Sequence, residues 1–260
     1  MNRALGLALV ALLAACGTPP PSEGPQVESS TITGGSTDPR NRARVRTELA
    51  ALYYQRGNLN VALEELRLAV AADPDYATAH GMFGLVYMEL KENQLAQASF
   101  ARALALSPDD PDINHNYGWY LCQTGREADS MAYFQRTLRN SLYATPARTY
   151  TAAGTCALRR GDVAGADAFL QKALALDPNQ PAGLLQLAQV RYRQGNYPEA
   201  RRLLARHAKL VEPTAESLWL ALRVERRLGQ RTTELSYANQ LRRRFPASRE
   251  AQALQRGQYD

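Results

Sequence analysis

The sequence predicts an all-α chain of stacked helix pairs, and three observations predict it. Pro74, Pro108, Pro178 and Pro246 lie 34, 70 and 68 residues apart in turn, so two residues of insertion reduce every gap to a multiple of 34. Glycines recur at one place in that period: Gly57, Gly125, Gly161, Gly195 and Gly229. Between them run stripes of small and bulky apolar residues at i, i+4 and i+7, which is one face of a helix.

A helix-turn-helix unit repeating every 34 residues is the tetratricopeptide period. Counting back from each proline places six repeats near residues 43–76, 77–110, 111–144, 147–180, 181–214 and 215–248. The expected fold is therefore a right-handed superhelix of six tetratricopeptide repeats, spanning residues 41–260. In the first helix of each repeat a small residue is needed eight positions in, where it crosses the second helix closely. Ala50, Gly84, Gly118, Gly154 and Ala188 supply it, and Leu222 departs. The turn glycine follows seven residues later, with Lys91 as the one departure. The second helix opens its inner face with Ala62, Ala96, Ser130, Ala166 and Ala200, followed four positions on by Leu66, Phe100, Phe134, Leu170 and Leu204. Each pair hides only part of its apolar surface and must stack on a neighbour to hide the rest. In the sixth repeat Glu234 stands where a small residue is expected, which suits a polar terminal cap, and residues 249–260 are expected to form a short capping helix.

The N-terminal residues read as an address. Arg3 precedes an apolar run over residues 4–14, which is too short to span a bilayer. It has the length of a signal-peptide core. The run ends in Leu13-Ala14-Ala15-Cys16-Gly17, which looks like a lipobox with Cys16 as the lipidated residue. The competing reading is an ordinary secretory signal with an incidental cysteine. Gly17 is not aspartate, so by resemblance to bacterial lipoproteins the anchor points to the outer membrane, with the body on its periplasmic face. Residues 17–40 are rich in Pro, Ser, Thr and Gly and read as a flexible tether.

Composition narrows the function. The excess of 31 Lys and Arg over 25 Asp and Glu is modest, and basic clusters such as Arg242-Arg243-Arg244 read as solvated faces and helix C-termini, not as a nucleic-acid surface. His80, His115 and His207 show no metal spacing, and His80 is expected to be a packed core residue. No phosphate loop, dinucleotide fingerprint or nucleophile elbow is present. Asp109, Asp110 and Asp112 cluster at a repeat junction, where capping a helix is the better account. The expectation is a monomeric protein-binding scaffold, not an enzyme, with no cofactor, metal, nucleic acid or small-molecule substrate. With Cys16 lipidated, Cys122 and Cys156 remain, on neighbouring first helices and two positions out of phase. Their spacing is compatible with a disulfide or with two buried thiols.

The stretch His115-Asn116-Tyr117-Gly118-Trp119-Tyr120-Leu121-Cys122-Gln123-Thr124-Gly125 is similar to the third-repeat motif of the type IV pilus biogenesis lipoproteins PilF and PilW. Residues 153–162, Ala-Gly-Thr-Cys-Ala-Leu-Arg-Arg-Gly-Asp, resemble the fourth-repeat counterpart. His115 stands where that family more often has asparagine. The resemblance implies that Cys122 and Cys156 are the family's disulfide pair. It also implies a pilotin-like role: binding the pilus secretin or other type IV pilus proteins, and promoting secretin localisation, its multimerisation or pilus stability. An outer-membrane adaptor for peptidoglycan-synthesis or hydrolysis enzymes is the alternative.

In a tetratricopeptide superhelix the first helices line the concave face through the second, fifth, ninth, twelfth and thirteenth positions. In repeats three to five this rule, with the adjoining Asn116, selects His115, Asn116, Trp119, Gln123, Arg148, Thr151, Arg159, Gln189, Tyr192 and Arg193 as the partner-binding groove. Aromatic and arginine anchors dominate many interfaces, so Trp119, Tyr192 and Arg159 lead the list.

Overall fold

Prolines, caps and turn glycines set the helix boundaries. The computed structural model describes residues 38–259, so the expected signal peptide, the lipidated Cys16 and nearly all of the tether lie outside the described residues. Among the described residues there are thirteen helices: α1 (Pro39–Gln55), α2 (Leu59–Ala72), α3 (Ala77–Glu89), α4 (Asn93–Leu106), α5 (Pro111–Gln123), α6 (Glu127–Arg139), α7 (Pro146–Arg159), α8 (Val163–Leu176), α9 (Pro181–Arg193), α10 (Tyr197–His207), α11 (Ala215–Arg227), α12 (Arg231–Arg244) and α13 (Arg249–Gln255). None is long and apolar enough to cross a membrane. Helix α1 begins before residue 41, because Asp38 accepts the amides of Arg40 and Asn41 and Pro39 opens the first turn. Asp110 caps α5 in the same way, its carboxylate 2.9 Å from the Ile113 amide. His80 is half-buried, and its Nε2 lies 2.8 Å from the Pro74 carbonyl oxygen. It therefore satisfies a loop carbonyl and is not the packed core residue expected.

Consecutive helices pair, α1 with α2 through α11 with α12, and α13 packs on both α11 and α12. The glycines explain the closeness of the pairs. A Cβ built at Gly84 would sit 2.7 Å from the Phe100 ring, one at Gly118 2.9 Å from Phe134, and one at Gly154 2.6 Å from Leu170 Cγ. Phe100, Phe134 and Leu170 are fully buried, each burial contributing roughly 1.5–3 kcal/mol. At the turn inside each pair the chain turns left-handed, at φ values from 70° to 87° for the five recurrent glycines and 64° for Lys91.

Each odd-numbered helix also packs on the next odd one, from α1 on α3 to α11 on α13, whereas among the described residues no two even-numbered helices bring their backbones as close. A row closed up along one side and splayed along the other bends toward the closed side. The odd helices therefore line the inside of the curve. The connection between α6 and α7 runs over residues 140–145, two residues longer than those at 73–76, 107–110 and 177–180. This is the insertion visible in the proline spacing. Leu142 takes the place of the repeat proline there and is 91% exposed.

Candidate functional site

The inner side of the odd helices is the surface on which the predicted groove residues fall, and the structure divides them. The fifth- and twelfth-position residues of the predicted set do not face solvent. His115 is 3% exposed, Thr151 7% and Tyr192 9%. They fill the seams between successive odd helices. His115 Nδ1 lies 2.8 Å from the Thr149 hydroxyl of the next helix. Thr151 donates its hydroxyl hydrogen to Gln180 Oε1, and Tyr192 lies under the Arg223 guanidinium, 4.3 Å from ring centroid to Cζ. These three are corrected from groove residues to packing residues. The reason is that the odd helices approach so closely that these side chains are covered, while the second, ninth and thirteenth positions remain on the crest.

Those crest positions, with Asn116 beside them at the sixth, hold the rest of the predicted set. Arg148, Gln123, Arg159 and Arg193 are exposed, while Asn116, Trp119 and Gln189 are half-buried. Neighbouring crests are laced together. Arg148 Nη2 donates to Asn116 Oδ1 at 3.0 Å, Arg159 Nη1 to Gln123 Oε1 at 2.9 Å, and Arg193 Nη1 to the Leu158 carbonyl at 2.9 Å. The last of these meets a carbonyl in the final turn of α7, where a cation is favoured. Trp119 packs one edge on the cluster of Cys122, Phe134 and Cys156. Its other side lines a cleft of about 410 Å³ with Met88, Glu89, Lys91, Gln123 and Thr124.

Sequence reasoning confined to repeats three to five missed the continuation of this surface. Leu85 and Arg223 occupy the ninth position of their repeats, and Glu89 and Arg227 the thirteenth. The same positional rule applied to every repeat finds them. A second cleft, of about 290 Å³, opens beside Arg44, Ala51, Thr78, Met82, Asp112 and Asn116.

Behind the crest, Cys122 and Cys156 form a disulfide with Cα atoms 5.7 Å apart, joining α5 to α7. His115, on the same helix, is held neutral. Burial penalises the imidazolium and Arg148 adds repulsion, so its pKa falls from 6.5 to about 3. It is no proton donor or acceptor near neutral pH. Among the described residues no group of three or more His, Cys, Asp or Glu is placed to hold a metal ion. The surface offers guanidiniums, amides and apolar edges, which is the chemistry of recognition.

Two stretches match models of the tetratricopeptide repeat, residues 81–144 and 157–222. The chain is 31% identical over 231 residues to the type IV pilus assembly protein PilF of Pseudomonas aeruginosa, covering 86% of this chain and 92% of that one. It superposes on the crystal structure of PilW, a widely conserved type IV pilus biogenesis factor, with a TM-score of 0.74 and 32% identity, over 82% of this chain and 97% of the other. A solved structure of Pseudomonas aeruginosa PilF gives the same TM-score of 0.74 at 29% identity, over 84% and 99% of the two chains.

Proposed function

The chain belongs to the family of type IV pilus biogenesis proteins that includes PilF and PilW, and from that premise we propose that it is an outer-membrane-anchored scaffold of six tetratricopeptide repeats. It holds the pilus secretin on the inner face of its odd helices and promotes the localisation and multimerisation of that partner. One observation carries this reading: the likeness to PilF and PilW runs through the whole repeat domain and takes in 92% and 97% of those chains. The anchor is Cys16, and the tether lets the body reach a partner standing off the lipid surface. The crest residues Asn116, Trp119, Gln123, Arg148, Arg159, Gln189 and Arg193 make the contact.

A pull-down from detergent-solubilised envelopes, baited with the lipidated protein and read by mass spectrometry, tests the reading. Recovery of the pilus secretin is the expected result. Recovery of cell-wall enzymes without any pilus component overturns it in favour of the adaptor role. Cys16→Ser is expected to leave a folded protein that no longer fractionates with the outer membrane, and unchanged fractionation would sink the anchor. Trp119→Ala is expected to weaken capture of the secretin with little loss of helical circular dichroism.

A further inference from the structure

The inner crest changes character along its length. Its second, ninth and thirteenth positions in the first three helix pairs are Arg44, Thr78, Asp112; Ala51, Leu85, Trp119; and Gln55, Glu89, Gln123, one arginine against two acids. In the last three pairs they are Arg148, Ala182, Glu216; Thr155, Gln189, Arg223; and Arg159, Arg193, Arg227, five arginines against one acid. The ninth position thus passes from apolar to polar, and the thirteenth from neutral or acidic to arginine in three successive helices.

Arg159, Arg193 and Arg223 are each positioned by a neutral group. Arg193 is held by the Leu158 carbonyl, and Arg223 by the face of Tyr192, with its buried Nε lacking a hydrogen-bond partner among the described residues. Arg227 donates to the Tyr192 hydroxyl. Arg159 bonds the neutral Gln123 and stands 3.8 Å from Glu127. The carboxylates of Glu225 and Glu234 are buried and already paired, with Arg201 and with Arg226 and Arg231 respectively. Glu216, one of the acids on this surface, accepts from Gln186. An arginine carries five N–H donors in a fork that matches a carboxylate, and Arg159 and Arg193 each donate one hydrogen bond while Arg223 stacks on a ring.

We propose that the inner face of α7, α9 and α11 seats an acidic, extended polypeptide segment, whose carboxylates engage Arg159, Arg193 and Arg223 in turn. Packed helices stand about 8–10 Å apart, and a chain extended in the polyproline II conformation advances about 3.1 Å per residue and returns every third side chain to the same side. Three residues therefore span one helix-to-helix step, and the matching ligand carries an acid at every third position. This inference rests on the reading of the inner face as the partner-binding surface and adds the chemistry of what it takes.

The probe is a fluorescein-labelled peptide of Ser-Ser-Glu repeats, titrated with the full mature chain and read by anisotropy. Its counterpart carries lysine in place of glutamate. Tight binding of the glutamate peptide alone is expected, weakened by raised salt. Arg159→Gln, Arg193→Gln and Arg223→Gln are each expected to weaken it by about three- to tenfold, with circular dichroism unchanged. A combined Arg-to-Lys variant keeps the salt dependence but loses the bidentate part, so it falls between wild type and the triple glutamine variant. Absence of binding, equal binding of the lysine peptide, unchanged binding to the triple variant, or tighter binding of a single-stranded oligonucleotide of equal charge overturns the inference. If the triple variant still captures the secretin from envelopes at full yield, the function stands and this assignment fails. If the glutamate peptide binds while no pilus component is captured, the function fails and this assignment stands.

Discussion

Lys91 is the one non-glycine described residue with positive φ, and it predicts a stabilising substitution. It occupies the turn position that glycine holds in five other helix pairs, at φ 64° against 70–87° for those glycines. An L residue in this conformation costs about 1–2 kcal/mol. Glycine avoids that strain but costs about 0.5–1 kcal/mol more in backbone entropy. Lys91→Gly should therefore stabilise the fold by about 0.5–1 kcal/mol. The reciprocal change, Gly125→Lys, should destabilise by a similar amount, because a Cβ there meets nothing within 4 Å and the cost is confined to the backbone. For a urea slope of about 2.5 kcal/mol/M the two midpoints move apart by about 0.2–0.4 M each, in opposite directions. Circular dichroism at the helical minimum during urea titration reads both. If Lys91→Gly lowers the midpoint, or both variants shift the same way, backbone strain is not what distinguishes this turn.

Replacing Cys122 and Cys156 by serine opens a loop of 34 residues, which in the chain-entropy model costs about 3–4 kcal/mol; the urea midpoint of the double variant against wild type measures it. Gly154→Ala drives a methyl group to 2.6 Å from Leu170 Cγ, so overpacking of about 1–3 kcal/mol outweighs the roughly 1 kcal/mol gained in helix propensity, and a calorimetric melt should show a lower midpoint. Asp110→Ala removes the cap on the Ile113 amide and should cost about 1 kcal/mol in the same titration. His115 stays neutral in the native state down to about pH 3, whereas the unfolded chain takes up its proton below 6.5. Its contribution is therefore complete above pH 6.5 and is lost as the pH falls toward 3, at up to about 1.4 kcal/mol per pH unit. His115→Asn should flatten the dependence of the urea midpoint on pH between 6.5 and 4, with a residual slope from His207, whose pKa burial also lowers.

The repeat was legible because its determinants are local and steric. A left-handed turn selects glycine, a close helix crossing selects a residue without a bulky side chain, and the first position of a helix accepts proline. Gly118 facing Phe134 and Gly154 facing Leu170 follow from those rules alone. What the sequence does not carry is how far one helix pair stands from the next. That distance decides whether a fifth-position residue is on the crest or in the seam. His115 and Thr151 went to the seam because partners on adjoining elements, Thr149 and Gln180, were there to satisfy them. Tyr192 went there because Arg223 covers its ring. Trp119, at the ninth position, stayed half on the crest for want of such a cover. The same rule, restricted to the middle repeats, hid the contrast between Leu85 and Arg223, which only a comparison across all repeats brings out.

Three features converge at the junction of the third and fourth helix pairs, and their coincidence has a mechanical consequence. The connection there, over residues 140–145, is longer than the four-residue connections at 73–76, 107–110 and 177–180. A longer connection constrains the placement of the pairs it joins less than the four-residue connections between pairs do. The same junction is where the crest passes from the apolar and neutral Leu85, Trp119 and Gln123 to the basic Arg159, Arg193 and Arg223. The disulfide and the buried His115–Thr149 hydrogen bond both cross it, joining α5 to α7 from behind the crest. A ligand long enough to touch Trp119 and Arg193 together reads the spacing between two chemically different halves. That spacing is held covalently at a junction where the chain connection alone holds it less than the four-residue connections hold theirs.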